Sequence, residues 1–270
     1  LPTARYDLSA TSSSSYGYFA GGYVTPFINT ITRLDFSNET VSDPGKNLPT
    51  SRSSLSATSS SSYGYFGGGY FTPVATFFNT ISRLDFSNET VSNPGKNLPI
   101  ARYNLAATSS SSYGYFGGGY TPPLGYYSTI SRLDFSNETV SDPGKNLPTS
   151  RSSLSATSSS SYGYFGGGFS PPFINTISRL DFSSETVSNP GNNLPSTRSG
   201  LAATASTSYG YFGGGYSTPV ATYYCTISRL DFSNETVSNP GKNLPSARGG
   251  LTATSSSSYG YFAGGFTPPY

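Results

Sequence analysis

The sequence predicts an all-β fold, a β-propeller of four-stranded antiparallel blades, on three observations. The chain of 270 residues repeats itself every 47 to 50 residues, a period typical of propellers and solenoids. Each repeat contains four short segments with strand periodicity, and no segment has a helical period. Because strands this short need a partner sheet on each side, a ring of blades is the arrangement that supplies one.

The four predicted strands follow one another closely in the first repeat. Leu8-Ser-Ala-Thr-Ser alternates small residues, as expected of a crowded inner strand, and residues 16–20 form an aromatic strand that ends in glycines. Residues 30–36 alternate Thr, Leu and Phe against Ile, Arg and Asp, and Glu39-Thr-Val-Ser is a short outer strand. Residues 43–49, which contain two prolines and a glycine, cannot continue a strand and are predicted to cross to the next repeat.

Two sequence motifs define the repeat. Ser-Tyr-Gly-Tyr-Phe-(Gly/Ala)-Gly-Gly occurs six times, and Ile-(Ser/Thr)-Arg-Leu-Asp-Phe-Ser-(Asn/Ser)-Glu-Thr-Val occurs five times. The sequence therefore predicts six blades in a single domain of residues 1–270, the last blade being incomplete in this chain. An open segment of a longer repeat array is the alternative. The repeats span approximately 1–47, 48–97, 98–146, 147–193, 194–243 and, in part, 244–270.

The composition excludes several classes of function. The chain has no histidine, which removes the commonest general base and the commonest metal ligand. The single cysteine, Cys225, can form neither an internal disulfide nor a thiolate metal site. Fifteen basic residues against thirteen acidic ones are too even for a surface that follows phosphates. We therefore expect no cofactor, no metal and no nucleic-acid partner, and the hydropathy pattern indicates no membrane span.

The order of these segments resembles the kelch repeat. A small-residue strand, then Tyr-Gly-Tyr-Phe-Gly-Gly-Gly, a variable loop, Arg-Leu-Asp-Phe-Ser-Asn-Glu-Thr and finally Leu-Pro-Thr-Ser-Arg follow one another along essentially the whole chain. The pattern departs from the family at the outer strand, where valines such as Val41 stand near the position of the kelch tryptophan, so this strand is expected to be weakly anchored. The two repeated motifs are also similar to tandem repeats in virion structural and tail-fibre-like proteins of marine bacteriophages.

Charged residues recur in every repeat, which argues against an active site. An active site places different groups around one substrate, so recurrence favours structural pairing between blades or the capping of turns. A glycosidase needs two carboxylates at a cleft, and only Asp7, Asp43 and Asp142 stand outside the repeat pattern. A glycosidase-like enzyme is therefore the weakest hypothesis, and no catalytic residue is predicted. The recurrent arginines are Arg5, Arg52, Arg102, Arg151, Arg198 and Arg248, and the recurrent aspartates are Asp35, Asp85, Asp134, Asp181 and Asp231.

Four asparagines begin the sequence Asn-Glu-Thr, which is a formal N-glycosylation site. The fourth repeat has Ser184 at this position, so the fold does not need the asparagine. We interpret these residues as turn formers and leave glycosylation as the alternative. They are Asn38, Asn88, Asn137 and Asn234.

The variation in repeat length is confined to one loop per repeat. From each repeated Ile to the last glycine of the next glycine run the distance is always 38 residues, so the insertions lie between the glycines and the next Ile. In an up-and-down blade this loop lies at the same end as the crossing between blades, so one face of the ring is variable and aromatic. The candidate binding residues are Tyr23, Phe27, Tyr70, Phe71, Phe77, Phe78, Tyr120, Tyr126, Tyr127, Phe169, Phe173, Tyr216, Tyr223, Tyr224 and Phe266.

These loops support a binding function without catalysis. Rigid rings held by prolines give a large contact area at low entropic cost. The sequence predicts a non-enzymatic extracellular or virion protein whose loops bind cell-surface carbohydrate or a partner protein. The alternative is a purely structural or decoration module of a virion or extracellular filament, with other virion or filament proteins, or further copies in a homo-oligomer, as partners. A third interpretation is that the rings only pack back onto the blade edges.

Overall fold

Short β-strands arranged in blades around a common axis make up the computed structural model, which describes residues 1–218 and 222–267. Tyr270, which the sequence groups with the loop aromatics, lies outside those residues. In each blade four antiparallel strands pair in chain order, so the first strand is innermost and the fourth is outermost. The part of the chain that the structure describes contains no helix long and apolar enough to cross a membrane.

The strands occupy equivalent positions in five repeats. The innermost strands are Ser9–Ser12, Ser56–Ser59, Ala106–Ser109, Ser155–Ser158 and Ala202–Ala205. The second strands are Tyr16–Ala20, Tyr63–Gly67, Tyr113–Gly117, Tyr162–Gly166 and Tyr209–Gly213. The third strands are Ile31–Asp35, Ile81–Asp85, Ile130–Asp134, Ile177–Asp181 and Ile227–Asp231. The outer strands are Val41–Ser42, Val91–Ser92, Val140–Ser141, Val187–Ser188 and Val237–Ser238.

The prediction of six blades is wrong. The described residues form five four-stranded blades, followed by a two-stranded hairpin of Gly249–Ser255 and Gly260–Phe266. The sequence contains six copies of the glycine-rich motif of the second strand but five copies of Ile-(Ser/Thr)-Arg-Leu-Asp-Phe, the motif of the third strand, so a motif of the first kind does not by itself mark a complete blade. The hairpin packs between the fifth and the first blade, and the amide of Gly265 donates a 3.0 Å hydrogen bond to the carbonyl of Arg5. The array is therefore a closed ring and not an open segment.

Neighbouring blades are joined by one repeated set of contacts. The ring of Tyr18 stacks on Phe86 of the next blade with centroids 5.5 Å apart, and its hydroxyl donates a 3.0 Å hydrogen bond to Glu89. Arg33 forms an ion pair with the same carboxylate at 3.0 Å. The terminal hairpin uses part of this set to reach the first blade, since the Tyr261 hydroxyl donates to Glu39 at 3.2 Å.

The glycine between the two tyrosines of each second strand allows the blades to pack this closely. A Cβ at Gly64 would lie 2.7 Å from Thr11 Cγ2 of the preceding blade and 3.2 Å from Phe86 Cε1. Any side chain there would push the inner strand of one blade away from the next. The small inner strands and this glycine therefore follow from the same crowding near the axis.

The outer edge of each blade and the variable loops are built more loosely. Each outer strand has only two residues, and Val41 is 43% exposed. Three variable loops fold into small two-stranded hairpins at the loop face. They pair Tyr70–Phe71 with Thr76–Phe77, Tyr120–Thr121 with Gly125–Tyr126, and Tyr216–Ser217 with Thr222–Tyr223.

Candidate functional site

Six backbone segments, one from each repeat, meet around the axis at the loop face. In each segment one residue adopts a left-handed conformation, with φ between 53° and 65°. The amide of each of these residues donates a hydrogen bond of 2.6 to 2.8 Å to the carbonyl of the equivalent residue one repeat earlier, and the first residue closes the circle on the last. We call this circle the axial ring. Its members are Asp7, Ser54, Asn104, Ser153, Gly200 and Gly250.

A cavity of about 230 Å³ lies on the axial ring and has Tyr6, Tyr216 and Phe266 in its wall. Its floor is not symmetric, because four successive repeats place a polar side chain there and the last two place glycine. Aromatic rings cover the two glycines. A Cβ at Gly200 would lie 3.0 Å from Tyr216 Cε1, and one at Gly250 would lie 3.1 Å from Phe266 Cε1.

Asp7 is the charged member of the axial ring. Its Oδ1 atom lies 2.8 Å from the point that a Cβ on Gly250 would occupy, so the glycine makes room for the carboxylate. Burial raises the pKa of Asp7 to about 6, and a hydrogen bond with the Ser54 side chain opposes this rise. Near pH 7.5 the group is therefore mostly ionised in surroundings that solvate a charge poorly.

Aromatic side chains form a closed circle at the loop face, and Tyr6, Tyr216 and Phe266 of this circle line the cavity. Successive ring centroids are 4.7 to 6.2 Å apart. We call this circle the aromatic rim. All of its members except the buried Phe27 are half-buried, so the rings pack on one another and keep some exposed surface. In order, they are Tyr6, Tyr23, Phe27, Tyr70, Tyr103, Tyr120, Tyr126, Phe169, Phe173, Tyr216 and Phe266.

Comparison with known proteins agrees with this architecture. The family model described as the KLHDC2/KLHL20/DRC7 kelch-repeats domain matches residues 55–265. This chain belongs to the kelch-repeat family. Kelch propellers are generally non-enzymatic and often mediate binding between proteins. No curated protein matches the chain, and the expected likeness to bacteriophage tail-fibre proteins finds no support in these comparisons.

Buried arginines lie beneath the rim of this kelch propeller. Arg52 is fully buried; its Nη1 atom donates to the carbonyl of Gly68 and to Thr80 Oγ1, both at 3.0 Å. Its Nη2 atom donates to the carbonyl of Phe66 at 3.2 Å and to Ser82 Oγ at 2.7 Å. Burial lowers the pKa of Arg52 to about 10, so the group stays cationic near neutral pH. Arg52 thus ties both ends of its variable loop, at Gly68 and Thr80, to its own blade.

The structure separates the two charge roles that the sequence left open. Ion pairs between kelch blades come from the arginine of the third strand, as in Arg83 with Glu138 at 2.9 Å. The recurrent aspartates cap turns, since Asp85 Oδ1 accepts hydrogen bonds from the amide and the hydroxyl of Ser87 at 2.8 and 2.6 Å. Within residues 1–218 and 222–267 no group of three or more acidic, cysteine or histidine side chains is placed to hold a metal ion.

The asparagines of Asn-Glu-Thr lie at exposed turns of the kelch blades. Asn88 Oδ1 accepts hydrogen bonds from the amide of Thr90 at 2.9 Å and from its hydroxyl at 2.7 Å. The same pair of bonds is made by Asn38, Asn137 and Asn234. This geometry is that of an Asx turn, and glycosylation stays a prediction.

The fifteen aromatic residues that the sequence nominates fall into three groups. Nine belong to the aromatic rim: Tyr23, Phe27, Tyr70, Tyr120, Tyr126, Phe169, Phe173, Tyr216 and Phe266. Three flank it, with centroids 5.4 to 6.0 Å from rim members: Phe71, Phe77 and Tyr223. Three lie against the buried arginines beneath it: Phe78, Tyr127 and Tyr224. In the three pairs that directly precede the third strand, Phe77–Phe78, Tyr126–Tyr127 and Tyr223–Tyr224, the first ring therefore lies in or beside the rim and the second lies against a buried arginine.

Sequence reasoning missed the contribution of the crossings between blades. Tyr6 and Tyr103 belong to the rim, and Asp7 and Asn104 belong to the axial ring. The signal was present, since Arg-Tyr-Asp and Arg-Tyr-Asn stand in the first and third repeats where the others have Arg-Ser or Arg-Gly. This difference alone does not predict a site, because nothing in a single sequence indicates that the crossings between blades reach the axis.

Proposed function

We propose that the aromatic rim is a non-enzymatic binding surface for a partner protein. The observation that carries this proposal is the closure of the rim, in which eleven half-buried or buried rings from all six repeats form one continuous circle and three of them, Tyr6, Tyr216 and Phe266, line the axial cavity. Rings that support one another are already ordered before a partner arrives, so little conformational entropy is lost on binding. Aromatic side chains also dominate the energetics of many protein interfaces, and tyrosine is among the residues enriched at binding hot spots.

The family supports a protein partner over a carbohydrate. Kelch propellers often mediate protein binding, whereas the sequence alone predicted cell-surface carbohydrate or a partner protein as the ligand, with virion or filament proteins as partners in the alternative. Carbohydrate binding and a virion or extracellular location stay predictions from the sequence. Absence of catalysis is part of the proposal and is supported by the generally non-enzymatic character of the family.

A displayed library of random dodecapeptides, selected on the immobilised full chain, tests the proposal. Selected peptides should lose at least tenfold in affinity for Tyr126→Ala and should retain it for Tyr259→Ala. Tyr259 is the matched control because it is 65% exposed and stands at the opposite end of its hairpin from Phe266. Peptides that bind both variants equally would overturn the proposal. A glycan array run with the same two variants would reassign the rim to carbohydrate if binding there depended on Tyr126.

A further inference from the structure

The side chains on the floor of the axial cavity differ among the repeats. The backbone hydrogen bonds of the axial ring are the same in all six repeats, but the side chains differ. The ring needs only the backbone to hold the repeats together. Apart from the hydrogen bond between the Asp7 and Ser54 side chains, the polar side chains are therefore not needed to close the ring, and their residues line the cavity.

This floor accepts hydrogen bonds better than it donates them. All six amide groups of the axial ring are used within the ring, so none of them is left for an anion. The carboxylate of Asp7 only accepts hydrogen bonds, whereas Asn104, Ser54 and Ser153 both accept and donate, and the Ser54 side chain already bonds to Asp7. The ligand that suits such a floor brings N–H donors and a positive charge.

Within residues 1–218 and 222–267, no ion pair joins Asp7 to a cationic side chain. The nearest arginine in sequence, Arg5, directs its guanidinium to Thr30 Oγ1 at 2.7 Å and Thr32 Oγ1 at 2.9 Å. The other ionisable groups near the carboxylate are phenols, of which Tyr6 and Tyr216 line the cavity and Tyr103 interacts with Asp7 electrostatically. Burial, rather than a neighbouring charge, dominates the raised pKa of Asp7. A cation beside it would offset that loss of hydration.

The wall of the cavity suits the stem of a basic side chain. The rings of Tyr216 and Phe266 lie directly over the two glycines of the floor. Aromatic faces attract cations and pack well against methylene groups. The volume of about 230 Å³ is below the roughly 300–1,000 Å³ of pockets for drug-sized ligands. The cavity is therefore of a size for one side chain.

We propose that the axial cavity receives a lysine or arginine side chain of the partner polypeptide, with the carboxylate of Asp7 as its counter-ion. This rests on the proposed function of the aromatic rim, which would hold the partner backbone around the inserted side chain. The recognition is electrostatic and reversible, and no bond is made or broken. It gives the rim, which is otherwise sequence-tolerant, a preference for basic segments.

Small cations test the cavity by itself. n-Butylammonium and n-butylguanidinium are titrated into the full chain at pH 7.5, with butyrate as the anionic comparison, and the amide signals of Ser54 and Asn104 are followed by NMR. We expect saturable shifts with both cations and none with butyrate. Asp7→Asn should weaken the cations at least tenfold. Asp142→Asn removes the same charge at an exposed turn where Asn93 already stands in a sister repeat, so it should leave them unchanged.

The outcomes separate this inference from the proposed function. Equal cation binding by the wild type and by Asp7→Asn would overturn the proposal that the cavity receives a basic side chain. Stronger binding of butyrate than of the cations would overturn it as well. Asp7→Ser, which copies Ser54 and Ser153, repeats the comparison should the asparagine variant fold poorly. Rim-dependent dodecapeptides that carry no excess of lysine or arginine would also overturn it while the rim remained a binding surface. Cation binding that depends on Asp7, with no selected peptide that depends on the rim, would support the cation site and overturn the rim as a binding surface for a protein.

Discussion

The amide of Asp7 donates a 2.7 Å hydrogen bond to the carbonyl of Gly250, joining two residues that lie at opposite ends of the described chain. This bond completes the axial ring and makes the terminal hairpin a part of the closed structure. The floor of the candidate site and the closure of the propeller are therefore one feature. Changes at this point should affect stability and binding together.

Replacing Gly250 with alanine should destabilise the protein by about 2–3 kcal/mol, because the new Cβ would lie 2.8 Å from Asp7 Oδ1 in addition to the cost of a left-handed conformation. Gly45→Ala is the control, since Gly45 has φ of 72° with no atom within 4 Å of its added Cβ. It should cost about 1–2 kcal/mol. Urea unfolding measures both, and equal losses would contradict the close approach of Asp7 to Gly250.

Asp7→Asn should stabilise the free protein at pH 7.5 by about 1–2 kcal/mol. The pKa of Asp7 is raised to about 6 in the folded state, so the folded protein binds this proton more tightly than the unfolded chain does. The carboxylate therefore costs stability above about pH 6 and costs none below about pH 4. The difference between variant and wild type should shrink as the pH falls through this window, and a pH-independent difference would argue against burial as the cause.

Tyr65→Phe should destabilise the protein by about 1–3 kcal/mol, because it removes a buried hydroxyl that donates to Glu138 across a blade interface at 3.1 Å. Tyr63→Phe is the matched control. The Tyr63 ring contributes its face to the Arg83 guanidinium, which lies 4.7 Å from the ring centroid. Its loss of a hydroxyl should change the free energy of unfolding by less than about 0.5 kcal/mol. Thermal unfolding of the two variants distinguishes a bonded hydroxyl from a packing ring.

Arg102→Lys should destabilise the protein by about 2–4 kcal/mol, although the charge is kept. The guanidinium donates to the carbonyl of Phe116 at 3.1 Å, to Ser131 Oγ at 2.9 Å and to Thr129 Oγ1 at 2.8 Å. A compact ammonium cannot reach this spread of acceptors. Arg248→Lys should cost less, since this half-buried arginine donates to the carbonyl of Phe262 at 3.4 Å. Equal losses in urea unfolding would contradict the bonding pattern.

Much of the fold could be predicted because the same strand pattern recurs in every repeat and can be compared between copies. Alternation in Ile-Ser-Arg-Leu-Asp located the third strand, and the glycine run located the end of the second strand. The count of blades could not be predicted in the same way. Tyr259 and its neighbours carry the motif of a second strand, but a motif count does not distinguish a hairpin that closes a ring from a complete blade.

The candidate site was predicted in part for a related reason. Loop aromatics such as Tyr126 stood out because they vary among repeats that are otherwise alike. The direction in which each ring points depends on packing, so Phe77 and Phe78 could not be told apart, although Phe77 flanks the rim and Phe78 lies against Arg52. In the sequence Asp7 is only an aspartate outside the repeat pattern. Its position at the axis depends on the backbone of the crossing between blades.

The six hydrogen bonds of the axial ring all run in the same rotational sense, from each amide to the preceding repeat. In such a homodromic circle each N–H points along the circle to a carbonyl of the preceding repeat, so these donors do not face the cavity. Donors and acceptors that polarise one another also make the floor stiff. The sign of the potential in the cavity is then set by side chains, and a single substitution at Asp7 is enough to change it.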